Sequence, residues 1–525
     1  MFSNRTTLSA IFPIFTFTLA VSTDFQSACL DFNPVSLITN STLRILEHVP
    51  ANTTLTFPGN DESCARPKQL ITNESCRIAL TIPTFNSSII FEIFLPTPAQ
   101  GFQRGVVLPA PADWTGRFLG TGNGGIDGCI KYEDIAYGLS HGFATTGSNN
   151  GHNGTGGKAF LNNLNIVTDF SWRSLHTTAV AGKILTQAFY KKPHDKAYYI
   201  GCSGGGRQAI QAASLFPEDY NGIVAGAPGI NFNYMSAWRA SFYTIAGSKN
   251  STDFIKPETW TRLIHTEILR QCDEIDGVKD GILADASLCA AVFRPEALLC
   301  NTNQSSNCLS AKQVDIVRKV YSPLYGEKGE LIYPSLQPGA EVQAIQRLLA
   351  GSPFSYSEDW FRYAVYRNPE WDPASWTIHD AEVAEELNPA NVRSWPDSLT
   401  NFKDNGGKLL LYHGGADNQI TGFNTERFYN HLSRSMAVTS TEMDTFLRFF
   451  RIPGMFHCSG GPGAWMIGQS TSGAVGYDSK RNVLAAIVEW VEKGRKPEVV
   501  VGTKYPTRST YVGGNSSFVD SWVCR

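Results

Sequence analysis

One stretch limits the folds open to this chain. Residues 196–200, Lys-Ala-Tyr-Tyr-Ile, make a short apolar, aromatic run that suits a buried strand. Residues 207–217 place Ala209, Ile210, Ala213 and Leu215 at near-helical spacing and stop at Pro217. Between them lies Gly201-Cys202-Ser203-Gly204-Gly205, a Gly-x-Ser-x-Gly turn with strand before and helix after. A turn this tight forces the serine into a strained backbone conformation and leaves room only for glycine two residues to either side. The helix that follows aims its free N–H groups and positive dipole end at the serine, which favours an oxyanion there. The competing reading is a glycine-rich turn that happens to hold a serine. The flanking strand and helix favour a nucleophile, Ser203.

The chain has 525 residues, more than one simple core accommodates, so two lobes are expected. Lys and Arg number 44 against 47 Asp and Glu, so no basic surplus points to nucleic acid or an anionic membrane.

Residues 1–22 read as an export signal: Arg5 supplies a positive charge, residues 8–21 are apolar but too short to span a bilayer, and small residues surround Ser22. No later run is long and apolar enough for a membrane span. Eleven cysteines fit an oxidising compartment. Acceptor triplets for N-glycosylation occur at Asn40, Asn52, Asn73, Asn86, Asn153, Asn250, Asn303 and Asn515. Together these predict a secreted, extracellular glycoprotein.

Along the chain, strands are expected at 89–95, 105–109, from Arg117 into the glycine-rich loop 122–125, at 142–147 and at 222–228. A helix is expected over 175–190. Strand and helix alternate, which predicts a parallel α/β sheet. The rhythm breaks after about Pro228. Helical pieces, cysteines, acidic loops and tryptophans then dominate to about residue 400, and this segment reads as an inserted lid. Strands resume at 407–413 and 446–452, and a last helix at 482–492 puts Val483, Ala486, Ile487 and Trp490 on one face. The expected organisation is a catalytic domain of residues 23–228 and 400–525 around a lid of residues 229–399.

The strand at 407–413 leads into Gly414-Gly415-Ala416-Asp417, and that at 446–452 into Pro453-Gly454-Met455-Phe456-His457-Cys458. Ser, Asp and His thus follow in that order, each just past a strand, as in an α/β-hydrolase triad. Ser203 is expected to attack a carbonyl, His457 to carry its proton to the leaving alcohol, and Asp417 to hold the imidazole. His413 and His431 are rivals for the base; His413 sits at a buried strand end and His431 after a helical stretch. Cys202 precedes Ser203 and Cys458 follows His457. If serine and histidine are within hydrogen-bond reach, a Cys202–Cys458 disulfide ties their loops together. The competing reading is two buried thiols.

Cys-Ser, a later Asp and a final His-Cys resemble the signature of the tannase and feruloyl esterase family of secreted α/β-hydrolases. In length and layout the chain looks most like fungal feruloyl esterases of type B. The resemblance covers essentially the whole mature chain. It implies an α/β-hydrolase fold with a large inserted lid, Ser203, Asp417 and His457 as the triad, and the Cys202–Cys458 bridge. The backbone N–H of Gly204 is one oxyanion donor by rule. The second is assigned to Gly124 in the 122–125 loop, where the competing reading is an ordinary glycine turn.

Within the lid, Asp273, Asp276 and Asp280 fall close together with Gly277 and Gly281 between them. The spacing is not that of an EF-hand, and an acidic surface loop explains the residues equally well. The resemblance carries structural calcium (Ca2+) onto this loop, held by the side chains of Asp273, Asp276 and Asp280 and the carbonyls of Val278 and Ile282. Cys272 and Cys289 staple the loop if paired, and Cys300 and Cys308 close a smaller one. The family pattern further implies Cys29–Cys76 and Cys64–Cys129. Cys524 is left over; relatives often pair their last cysteine, and this chain departs from them.

Tyr356, Trp360, Phe361, Tyr363, Tyr366, Trp371 and Trp376 are more naturally lid core than ligands, although aromatic faces can stack on a phenolic acyl group. The resemblance implies a serine carboxylesterase acting on feruloyl or coumaroyl esters, with feruloylated plant cell-wall polysaccharide or a small phenolic ester as substrate. A tannase acting on galloyl esters is the alternative within the family. A catalytically dead adhesion protein is disfavoured because no triad member is missing. A calcium-dependent carbohydrate-binding protein leaves the triad unexplained.

Overall fold

In this computed structural model the described residues are 25–98, 113–301, 307–505 and 523–524. Nine strands form the main sheet: β1 (Thr42–Val49), β2 (Ser75–Thr84), β3 (Ser87–Pro96), β4 (Arg117–Thr121), β5 (Phe143–Ser148), β6 (Lys196–Cys202), β7 (Gly222–Gly226), β8 (Lys408–Gly414) and β9 (Leu447–Ile452). Their order in space is β1-β2-β3-β5-β4-β6-β7-β8-β9. From β5 onward neighbours run parallel. Such strands are covered on both faces, which is why their sequences are nearly continuous apolar runs. All five residues of β7 are buried, as are the inner five of β6.

The sheet is mixed, not purely parallel as expected. β1, β2 and β3 join it antiparallel, and β3 pairs antiparallel with β5. The cause is local. Only Phe85 and Asn86 separate β2 from β3, with Asn86 at φ 49, and a two-residue connection joins only antiparallel strands. The expected strand at 105–109 and the export signal at 1–22 lie outside the described residues.

Helices cover both faces: α1 (Tyr132–Ser140), α2 (Ser174–Tyr190), α3 (Gly204–Leu215), α4 (Phe232–Ala246), α5 (Ile378–Leu387), α6 (Gly422–Ser435) and α7 (Val483–Lys493). Alternation along the strands sorts the core. Tyr199, Ile223 and Leu411 pack with Leu185 of α2, Ile210 of α3 and Phe428 of α6. Tyr198, Val224, Leu410 and Tyr412 point the other way, onto Val483, Leu484, Ile487 and Trp490 of α7. Each such buried side chain stabilises the fold by roughly 1.5–3 kcal/mol. Asn482 caps α7 by accepting the N–H of Ala485, and Gly494 ends it at φ 66.

Between β7 and β8 the described chain adds no strand to the main sheet. It is helical apart from one short pair, Leu324–Tyr325 with Leu331–Tyr333. It has its own core, centred on Trp238, Trp260 and Trp360, which also takes in Ile126, Phe160 and Phe170 from the sheet-bearing part. Of the glycosylation triplets, Asn40, Asn52, Asn86, Asn153 and Asn250 are exposed. Asn73 is instead buried, and its Nδ2 donates to Leu139 O at 3.0 Å. Asn303 and Asn515 lie outside the described residues.

Candidate active site

The parallel strands end nearly level, with Cys202 opposite Gly226, Gly226 opposite Tyr412, and Gly414 opposite Ile452. Loops leaving the carboxyl ends of β6, β8 and β9 therefore converge, and open α/β sheets bind ligands at such edges.

Ser203 sits between β6 and α3 at φ 64, ψ −119. A non-glycine residue held there costs about 1–3 kcal/mol. Three backbone bonds hold it: its N–H donates to Gly226 O (2.9 Å), and its carbonyl accepts from Arg207 N (2.9 Å) and Gly229 N (3.0 Å). A Cβ on Gly201 would lie 2.8 Å from the backbone of Gly205, so strand and helix approach this closely only without side chains. Behind the turn, the guanidinium of Arg207 is fully buried and donates to Phe170 O and Ser171 O. Burial without a carboxylate pulls its pKa down to about 10.

The triad is assembled. Ser203 Oγ lies 2.9 Å from His457 Nε2, and His457 Nδ1 lies 2.8 Å from Asp417 Oδ2. Asp417 is wholly buried, and its Oδ1 accepts the N–H groups of Gln419 (2.8 Å) and Ile420 (2.9 Å). Burial pushes its carboxyl up, but the imidazoles of His457 and His413 outweigh burial and hold it well below the usual carboxylate range. His457 is also fixed through its backbone, which donates to Asn418 Oδ1 at 3.2 Å.

His413, a rival for the base, has another position. Its Nε2 lies 2.9 Å from Ile420 O and 3.1 Å from Asp417 Oδ2, and its Nδ1 lies 2.9 Å from Thr425 Oγ1. Both neighbours of Nε2 are acceptors, so Nε2 carries the proton and the Thr425 hydroxyl donates to Nδ1. It supports the acid rather than serving the serine. His431 lies 3.0 Å from Asp397 instead.

All five disulfides anticipated are formed: Cys29–Cys76, Cys64–Cys129, Cys202–Cys458, Cys272–Cys289 and Cys300–Cys308. The third joins the residue before the nucleophile to the residue after the base. Cys524 lies in a short strand paired with Val500–Val501.

The glycine loop folds over the elbow. A Cβ on Gly204 would lie 2.7 Å from Gly125 O and 3.2 Å from Gly124 C. Asn123 N donates to Gln208 Oε1, the amide of Gly124 reaches the carboxyl of Asp127, and that of Gly125 has no protein acceptor among the described residues. Tyr356, from the segment between β7 and β8, rests on this loop: its Cζ lies 2.5 Å from where a Gly125 Cβ would be. The other aromatics of that segment are mostly core, with Trp360 and Phe361 fully buried. No motif marks Tyr356 in the sequence; only the packing of the inserted segment brings it here.

The acidic loop is closed by Cys272–Cys289. Asp273, Asp276 and Asp280 each turn Oδ1 to a loop amide, of Gly281, Val278 and Ile282 respectively. These carboxylates and the carbonyls of Val278 and Ile282 are oxygen donors, the ligand type calcium takes, but the three carboxylates do not converge within 4.8 Å of one another. The three-ligand set that does converge within 4.8 Å among the described residues is a different one, Glu327, His379 and Glu382.

Residues 98–519 match the family described as tannase and feruloyl esterase. A protein named "Probable feruloyl esterase B-2" from Aspergillus flavus is 54% identical over 491 residues, covering 93% of this chain and 91% of its own. One of the same name from Aspergillus fumigatus is 42% identical, covering 96% and 97%. Among solved structures, feruloyl esterase B from Aspergillus oryzae superposes with a TM-score of 0.88 at 40% identity, covering 95% of each chain. The tannin acyl hydrolase from Aspergillus niger shares the fold, with a TM-score of 0.70 at 20% identity, covering 94% and 91%. With its assembled triad and a match running over most of its length, this chain belongs to the tannase and feruloyl esterase family.

Proposed function

We propose that this protein is a secreted serine carboxylesterase that hydrolyses hydroxycinnamoyl esters, feruloyl and coumaroyl, of plant cell-wall polysaccharides through an acyl-enzyme. The observation that carries the chemistry is the unbroken contact from Ser203 Oγ through His457 to Asp417. As Ser203 attacks the ester carbonyl, its proton moves to His457 Nε2. Asp417 stays ionised and stabilises the imidazolium. The oxyanion is received by the N–H of Gly204, an unpaired amide of the first turn of α3, and by that of Gly124. His457 then protonates the departing alcohol, and a water repeats the sequence on the acyl-enzyme.

The segment of residues 229–399 is the lid over this site, and Tyr356 is its contact with the glycine loop. The acidic loop holds a structural calcium ion, which takes no part in the steps above. Five disulfides, and the lack among the described residues of any helix long and apolar enough to cross a membrane, support an extracellular setting. The names of the relatives at 42–54% identity support feruloyl over galloyl esters.

Methyl ferulate, methyl coumarate and methyl gallate, assayed side by side with wild type and Ser203→Ala, test the proposal. A larger kcat/KM on ferulate or coumarate than on gallate, lost by several orders of magnitude in a folded Ser203→Ala, is expected. A ratio favouring gallate moves the protein to the tannase branch. Full activity in the variant removes the serine mechanism.

A further inference from the structure

A second cavity lies beside the catalytic loops. Its volume is about 210 Å³, and its wall includes Leu269, Leu283, Val342, Ala416 and Phe456, with His265 the one charged or polar side chain. Neither Ser203 nor His457 nor the oxyanion glycines line it. An apolar cavity of about 150 Å³ stays dry and takes up benzene. The space here therefore suits one aromatic ring with small substituents.

His265 gives the cavity a single polar contact. Its Nδ1 lies 2.5 Å from Oε1 of Glu341, which is fully buried. Glu341 Oε2 also accepts from Tyr321 Oη (2.7 Å) and Gly339 N (2.8 Å). Every neighbour of this carboxylate is a donor, so Nδ1 carries the hydrogen. Nε2 has no protein partner among the described residues and is the atom left for a ligand. A buried carboxylate that fixes the orientation and tautomer of an imidazole at the rim of an apolar space is the arrangement by which a site orients a small ligand.

The wall also reaches the chemistry. Ala416 immediately precedes Asp417, and Phe456 immediately precedes His457. Their loops are joined by the bond from Ala416 N to Met455 O at 2.9 Å. On the other side Ile282, which belongs to the acidic loop, lies 3.1 Å from where a Gly454 Cβ would be. Filling the cavity therefore presses on the loops that hold acid and base.

We infer that this cavity is a second ligand site, which takes a monocyclic phenol with its ring among the aliphatic side chains and its hydroxyl on His265 Nε2, and so changes turnover without occupying the ester site.

The probes are p-cresol and toluene, which differ by the hydroxyl. Wild-type crystals soaked in p-cresol are expected to show it in this cavity. In kinetics with methyl ferulate it alters kcat while KM holds. Toluene binds about tenfold more weakly. His265→Asn keeps a donor for Glu341 but lacks Nε2, and brings p-cresol to the level of toluene. Val342→Phe, or Leu283→Phe if the first variant melts early, fills the space and abolishes the effect of both. Purely competitive inhibition, an empty cavity in the soaked crystal, or an undiminished effect in a folded, filled variant overturns the inference.

Discussion

His413 Nε2 lies 3.1 Å from Oδ2 of Asp417, the same oxygen that meets His457 Nδ1 at 2.8 Å. One carboxylate thus receives two imidazoles, one catalytic and one buried in the sheet. His413 keeps Asp417 ionised and fixes the lone pair left for His457. His413→Phe removes that donor and leaves the acid more basic and less constrained. The expected outcome is a fall in kcat of about tenfold or more, with KM little changed. A variant with unaltered kcat and a normal melting temperature removes this role.

The buried carboxyl of Asp127 predicts a pH dependence of stability. Burial pushes it up to about 6, against the pull of Lys131 and Arg66 and the amide bonds of Cys129 and Gly124. A pKa raised in the folded state means that the native protein holds the proton more tightly than the unfolded chain. Stability is then greatest below about pH 4 and falls as pH rises from there to about 6. Asp127→Asn removes the charge and keeps an acceptor for Cys129. The variant is expected to be more stable than wild type at pH 7, by on the order of 1–3 kcal/mol, and equal to it near pH 4. Chemical denaturation at the two pH values measures this. A gain of equal size at both speaks against the titration.

How much was legible in advance follows from where each signal sits. Ser203, Asp417 and His457 each end a buried strand, and two of them adjoin a cysteine, so motif and spacing were enough. β1 carries no strand signal of its own, because Thr42–Val49 is exposed or half-exposed but for Val49 and lacks clear alternation. Neither the donor role of His413 nor the contact of Tyr356 has a local signature. The first depends on a turn at Ile420, and the second on how a long insertion folds back.

The Cys202–Cys458 disulfide joins residues 256 apart in sequence. In the chain-entropy model so long a loop contributes roughly 5 kcal/mol, an upper figure because the other bridges already restrict the unfolded chain. Its larger effect is on geometry, since displacing reacting groups by about 1 Å costs on the order of a hundredfold in rate. Cys202→Ala/Cys458→Ala is expected to lose activity at temperatures where circular dichroism still reports a native fold. Activity and fold lost at the same temperature would limit the bridge to stability.

The proposal that the acidic loop holds calcium predicts a concentration-dependent melting temperature. A ligand that binds only the native state adds about 2.7 kcal/mol at a hundred times its dissociation constant. Chelation should lower the melting temperature, and added calcium should restore it in wild type but not in Asp273→Asn/Asp280→Asn. A thermal shift indifferent to chelator rules the ion out.

The glycine loop offers the narrowest test of the site. Gly125 is at φ 43, and a Cβ there would lie 2.5 Å from Cζ and 2.9 Å from Oη of Tyr356. Gly125→Ala therefore carries two faults, a backbone conformation disfavoured with a side chain and a collision with a ring. The ring is hemmed in by Arg347, whose guanidinium lies 5.3 Å from its centroid, and by Phe354 at 5.7 Å. The loop has to yield, and with it the amide of Gly124 above the elbow. A fall in kcat of tenfold to a hundredfold is expected, the range for a misplaced oxyanion donor. Tyr356→Ala removes the collision but not the backbone fault. The double variant Gly125→Ala/Tyr356→Ala should therefore recover part of the lost kcat relative to Gly125→Ala alone. Additive losses in the cycle would show that Tyr356 does not press on the loop in solution.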